Sequence, residues 1–323
     1  MSTPADFMPI PIHEFVNGIT IPVDLYIRLS EEKFVLVGKS GSHNSIDQFK
    51  NYQNKEVAYL WVLKKEYYKI THQTISIAGI GLSKKDLDDK VKTTLISHAA
   101  RSVFRQMDGL GLDMESYNNS KMVCEAVMGL VDTHKSLADL LASFKSYSDQ
   151  LLSHSIAVST IAVLLGQAMG YEKKATLEKL SLGGLLHDVG LKSLPQDLTK
   201  KSLAEMTPDE VQLWETHPYR GMQMLQSLGI VPDDIVSIVY EHHENSIGQG
   251  FPQRIRDVKI HPLAKIVCLA DAYVDLILPN PNCPEPKNPR EALMYIEHTL
   301  GIPYNKEAFR ALKKVIEADK KAA

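Results

Sequence analysis

The chain has 323 residues and a formal charge of −3, from 36 Lys and Arg against 39 Asp and Glu. Its length and 44% hydrophobic share suit two domains, or one large domain with an appendage, and allow a sizeable core. This charge balance argues against extended binding along a nucleic-acid backbone, while a local basic pocket for a small anion stays open. Cys124, Cys268 and Cys283 show neither metal-ligand spacing nor the even count of a disulfide framework, which fits a reducing cytoplasm. The N-terminus lacks the basic and apolar regions of a signal peptide. The longest apolar run, 156–169, is short for a membrane span and carries Ser159, Thr160 and Gln167, so it reads as a buried helix.

From about residue 7 to 80 the texture is mixed. Stretches 19–27 and 34–37 predict strands joined by a turn at 30–33, and 57–63 predicts a third. A short helix is expected over 44–53, capped by Asn44 or Ser45. His13, His43 and His72 read as ordinary surface or loop residues. The charged stretch 83–90 marks the boundary between a small α/β domain, 1–85, and a second domain, 86–323. In the second, apolar residues recur at helical spacing over 91–107, 119–131, 136–144, 149–170, 176–186, 207–228, 232–240 and 261–278. Gly229, Pro232 and Pro252 punctuate the pattern. The prolines of 279–289 exclude regular structure, and a helical hairpin, 290–300 and 306–318, closes the chain. The expected fold class is mainly α, a helical bundle preceded by a small α/β domain.

Five histidines of the second domain fall at the ends or inward faces of apolar helices. His154 precedes the long apolar run, His187-Asp188 closes 182–186, and His217-Pro218 follows Trp214-Glu215-Thr216. His242-His243 ends 235–240 and is followed at once by a glycine-broken loop. Neighbours on a helix point about 100° apart, so both histidines reach one site only if it is broad, as a two-metal cluster is. The plain alternative is a helix end whose histidines complement the C-terminal dipole. A satisfied buried histidine explains any one of them alone. Asp188 and Asp271 resist that explanation, because a carboxylate on an apolar helix face is costly unless paired or metal-bound. Imidazole nitrogens and carboxylate oxygens together suit iron, manganese or zinc. A shared aspartate can bridge two metals about 3.5–4 Å apart, a pair that clamps the oxygens of an in-line phosphoryl displacement and acidifies water.

The order His154, His187-Asp188, His217-Pro218, His242-His243-Glu244, Gly248-x-Gly250-Phe251-Pro252 and Asp271 resembles the HD-GYP domain, a branch of the HD phosphohydrolases. The resemblance covers 149–273, with a weaker tail beyond. It implies a helical fold, a centre of two or three metals, often iron or manganese, and hydrolysis of cyclic di-GMP to its linear dinucleotide or GMP. It implies that His154, His187, Asp188 and Asp271 hold one metal, and that Asp188 bridges to a second held by His217, His242 and His243. Three-metal members carry a glutamate one turn before the first histidine. Gln150 stands there, so two ions are expected, iron foremost and manganese or zinc as alternatives. The N-terminal strands are similar to small regulatory domains that precede this module.

The chain departs from the family pattern around the substrate. The family's His-Asp-x-Gly-Lys reads His187-Asp188-Val189-Gly190-Leu191, leaving Lys192, beside Asp188, as the candidate for proton transfer. Phe251 keeps the ring of the motif's tyrosine and loses its hydroxyl, and Ile247 replaces an aspartate. The proline-rich 279–289 replaces an Arg/Lys-rich segment that grips phosphate. Gly250, Phe251 and Lys265 are the substrate-binding candidates, with Arg254, Arg256 and Arg290 as further cations. The expected function is a cytoplasmic di-metal phosphodiesterase acting weakly or unconventionally on cyclic di-GMP or a related dinucleotide. The alternative is a catalytically degenerate relative that binds a nucleotide or a protein partner in signalling.

Overall fold

The computed structural model describes residues 3–12, 15, 20–42, 52, 55–84, 86–133 and 150–319. The expected helix over 136–144, most of that over 44–53, and His13 and His43 lie outside the described residues. Four strands, β1 (Phe7–Pro11), β2 (Leu25–Arg28), β3 (Phe34–Gly38) and β4 (Tyr59–Leu63), form one antiparallel sheet in the order β1-β4-β2-β3. Strand β1 escaped the sequence reading because Pro9 and Pro11 interrupt it. Proline lacks the ladder N–H, and β1 lies at the sheet edge, where that loss is tolerated. The strand expected over 19–27 shortens to Leu25–Arg28. Pro22 has no N–H to offer, and Asp24 turns its side chain to accept the Ser40 N–H at 2.8 Å. One sheet face buries Met8, Ile10, Leu25, Leu60 and Val62. The other carries Phe7 stacked on Phe34, centroids 4.1 Å apart, and the Arg28 guanidinium 5.2 Å from the Trp61 ring.

Helix α1 (Tyr67–Ser83), unassigned from sequence, joins two cores. Tyr67 and Ile70 pack with the sheet, Ile75 and Ala78 with the helical bundle. The bundle continues with α2 (Asp89–Leu110), α3 (Met114–Thr133), α4 (Gln150–Ala168) and α5 (Lys174–Leu186). Helix α4 is long and apolar enough to cross a membrane by length and composition alone. Every residue from 155 to 163 is instead buried, as the sequence predicts, and α4 packs against α3 and α5. Gly184 permits the close approach of α5, since a Cβ there would lie 2.9 Å from Ser159 Cα.

The helix expected over 207–228 is two, α6 (Pro208–Trp214) and α7 (His217–Ser227). Pro218 breaks it: with no N–H it cannot bond to the Trp214 carbonyl, and it sits where proline is favoured, in the first turn of α7. Helices α8 (Asp233–Glu241) and α9 (Pro262–Ile277) follow close to expectation, His261 capping α9 by accepting the Leu263 N–H at 3.3 Å. The proline-rich segment is irregular up to its last residue, but Pro289 opens α10 (Pro289–Met294). The helix expected over 290–300 continues from α10 as a π-helical turn, Tyr295–Thr299, and α11 (Lys306–Asp319) follows as expected. The fold is mainly α with a small antiparallel sheet at its N-terminus.

Candidate metal centre

His187 follows α5 directly, His217 opens α7, and His242 follows α8 directly. The last carbonyls of a helix have no intrahelical partner. Each of these histidines turns Nδ1 onto the carbonyl three residues back, Gly184 O, Trp214 O and Val239 O, all at 2.8 Å. Trp214 O is open to His217 because Pro218 has no N–H to offer it. A carbonyl only accepts, so in the neutral imidazole Nδ1 carries the proton and the Nε2 lone pair points inward.

The inward atoms converge. His217 Nε2 and His242 Nε2 lie 3.2 Å apart, as do His154 Nε2 and His187 Nε2. Asp188 stands between the two pairs. Its Oδ1 is 3.2 Å from His217 Nε2 and 3.6 Å from His242 Nε2, while its Oδ2 is 3.3 Å from His187 Nε2 and 4.0 Å from His154 Nε2. Asp271, midway along α9, sets Oδ1 2.9 Å from His154 Nε2 and Oδ2 3.7 Å from His243 Nδ1. All the ligand candidates named from the sequence therefore meet. Two groups share Asp188, one with His154 and His187, the other with His217, His242 and His243, each with donor atoms within 4.8 Å of one another.

This donor set fits metal ions. Two imidazole lone pairs facing at 3.2 Å repel, and the Asp188 oxygen beside the His217–His242 pair adds a third acceptor. A cation between them satisfies all three. Burial alone would raise the Asp188 pKa, but His187, His217 and His242 outweigh it and hold the carboxyl well below its ordinary range. Burial and the neighbouring imidazoles lower His242 and His243, keeping them neutral, the form that ligates. At His154 burial is outweighed by Asp271, Asp275 and Asp188, and the imidazole is pushed up to about 9.

Two glycines let the site close. A Cβ on Gly190 would lie 2.0 Å from His217 O, and one on Gly250 would lie 2.2 Å from His243 O. The loop beyond His243 is organised by Glu244, which is buried. Its carboxylate accepts the N–H groups of Gln253 at 2.6 Å, Arg254 at 3.0 Å and Ile255 at 3.0 Å. Phe251, in a cis bond to Pro252, thereby rests on His243 with ring centroids 4.4 Å apart and beside Trp214 at 5.5 Å.

The lysine named for proton transfer and the one named for the substrate both have other partners. Lys192 is paired with Asp108, with its Nζ 5.0 Å from the Phe104 ring, and so turns toward α2. Lys265 bonds Asp257 at 3.0 Å, which also accepts from Ser246 and Asn305. The structure adds three residues that sequence reasoning did not single out. Glu244 gave no signal beyond its place in the motif. Asp275 lies 3.4 Å from His154 Nδ1, and its spacing of four from Asp271 could have placed both on one face of α9. Tyr304 enters on a loop whose Pro303 O accepts the Ser246 N–H at 2.8 Å. Burial, with Cys268, Asp271 and Asp275 nearby, pushes its phenol pKa up and keeps it a neutral hydroxyl.

A family model described as HD domain matches residues 135–304, wider on both sides than the stretch legible from motifs. The chain is 27% identical over 218 residues to a cyclic di-GMP phosphodiesterase of Pseudomonas aeruginosa, covering 68% of this chain and 51% of that protein. It is 28% identical over 206 residues to a ribonuclease Y of Fervidobacterium nodosum, covering 60% of this chain and 33% of the relative. The chain thus spans about half the length of the first relative and a third of the second. A solved HDG"Y"P protein from Bdellovibrio bacteriovorus superposes with a TM-score of 0.66 at 22% identity, covering 97% of this chain and 100% of that one, a likeness of fold.

Proposed function

The chain belongs to the HD domain family, and from that premise we propose that it is a two-metal phosphodiesterase of the HD-GYP type, acting weakly on cyclic di-GMP or a related dinucleotide. The observation that carries this reading is the pair of facing imidazole sets with one Asp188 oxygen turned to each. In this reading His154, His187, Asp188 and Asp271 would hold one ion, and Asp188, His217, His242 and His243 would hold the other. Iron is the foremost choice, with manganese or zinc as alternatives. Bound there, two such ions supply Lewis-acid activation of water and of the phosphodiester. The residues themselves orient. Helix-end carbonyls fix the imidazole tautomers, Gly190 and Gly250 permit close approach, and Phe251 offers a flat apolar wall beside His243. The choice of cyclic di-GMP draws support from the Pseudomonas relative, a cyclic di-GMP phosphodiesterase. We assign residues 1–85 a regulatory role, supported by the separate hydrophobic cluster that the sheet forms with Tyr67 and Ile70, and place the protein in the cytoplasm, which its three free cysteines suit.

Purified protein is expected to carry about two transition-metal ions per chain. Elemental analysis giving less than one after reconstitution would reject the centre. A single-turnover assay with cyclic di-GMP, other cyclic and linear dinucleotides and a short RNA then tests the substrate. Binding of cyclic di-GMP without hydrolysis would favour the second reading, a degenerate relative that signals through a bound nucleotide or protein. The commitment of Lys192 and Lys265 to other partners is the observation in its favour.

Turnover is expected to be slow. Leu191 has no proton to give and Phe251 no hydroxyl, and loss of one well-placed donor costs roughly a hundred- to a thousand-fold in rate. Leu191→Lys with Phe251→Tyr should raise the single-turnover rate at least about tenfold. Hydrolysis by the wild type at ordinary enzyme rates would show that these losses are compensated within the site.

A further inference from the structure

His154 differs from the other inward-facing histidines in one respect. His187, His217 and His242 lie at helix ends, where a carbonyl three residues back takes Nδ1–H. His154 lies inside α4, residues Gln150–Ala168. There the carbonyl three residues back, on Leu151, is engaged by the N–H of the residue that follows His154. Its ring needs an acceptor from another element. Helix α9 supplies carboxylates to both nitrogens: Asp271 Oδ1 stands 2.9 Å from Nε2, and Asp275 Oδ1 stands 3.4 Å from Nδ1. Asp275 is held in place, since its backbone carbonyl accepts from Asn280 Nδ2 at 2.8 Å and the Leu278 N–H closes the helix on Val274 O at 2.9 Å. Half of its side-chain surface is open, so the carboxylate meets water on one side and the His154 ring on the other.

We infer that Asp275 is a positioning residue for His154, taking its Nδ1–H and so aiming Nε2 into the metal centre. The inference rests on the two-metal reading. A carboxylate makes a stronger acceptor than the carbonyls serving the other histidines, so it fixes the tautomer and raises the basicity of this ligand. His154 then becomes the most strongly donating imidazole of the set. The alternative role for Asp275 is direct ligation in a third site with His154 and Asp271, whose donor atoms also lie within 4.8 Å of one another.

The test uses full-length protein, zinc(II) as the probe ion, and competition against a chromophoric chelator. Wild type, Asp275→Ala and Asp275→Asn are compared, with circular dichroism to confirm folding. The wild type is expected to bind two ions. Asp275→Ala should keep both positions but bind one of them about ten- to a hundred-fold more weakly, with the other unchanged. Asp275→Asn retains an acceptor oxygen and should stay within a few-fold of wild type. Unchanged affinities in Asp275→Ala overturn the assignment. So does a wild type with three ions that loses one outright in both variants, which makes Asp275 a ligand. A wild type holding less than one ion removes the metal reading itself, and this assignment with it.

Discussion

Asp188→Ala is expected to empty both metal positions together. The carboxylate turns Oδ1 toward His217 and His242 and Oδ2 toward His187 and His154, so it serves both imidazole pairs. Its removal takes a negative charge from each half of the cluster: the His217–His242 pair loses the carboxylate beside it, and the His154–His187 pair keeps Asp271 alone. His243→Ala should act differently. His243 approaches His217 and His242 by ring contacts of 5.0 and 4.2 Å and belongs to one donor group only, so its loss should weaken one ion and spare the other. The check is metal content and any phosphodiester hydrolysis in both variants. For Asp188→Ala, content should fall below about half an ion and hydrolysis by at least a thousand-fold. Full metal content in Asp188→Ala would mean the aspartate shares neither site.

What could be read from the sequence was what local order encodes. The ligand candidates were legible because each is a polar residue at the end of an apolar helical run or on its inward face, where polarity needs a reason. The imidazole directions were not legible, although one cause was in plain view: Pro218 both splits the expected 207–228 helix and frees the carbonyl that orients His217. Strand β1 was hidden by its prolines, and α1 by a sequence that serves two cores at once. Lys192 could not be placed, because its partner Asp108 is 84 positions away and nothing local selects it. Phe251 was read as a lost hydroxyl. The structure adds that its ring lies on His243, so the substitution keeps a packing role while giving up a donor.

Glu244→Ala is expected to cost about 2–4 kcal/mol of stability, from three lost hydrogen bonds at roughly 1 kcal/mol each and the void left by a buried side chain. Glu244 is 1% exposed and accepts three consecutive backbone N–H groups, those of Gln253, Arg254 and Ile255. Alanine leaves all three donors without their shared acceptor, and each such bond contributes about 0.5–1.5 kcal/mol net. The damage should stay local at first. The Glu244 carbonyl accepts from Cys268 Sγ at 2.9 Å, so the start of the loop remains tied to α9, while the stretch beyond Gly250 loses its organiser. Phe251 would then leave the His243 ring, and the ion on that side should exchange faster than its neighbour. Glu244→Gln gives the finer test. Its one remaining oxygen can still accept two N–H groups, but its NH2 meets the third donor head-on, so an intermediate loss is expected. Denaturant melts measure the stability, and hydrogen exchange at the amides of 253–255 reports the loop. If Glu244→Ala melts like wild type with those amides still protected, the loop is held by the Phe251 packing and not by the carboxylate.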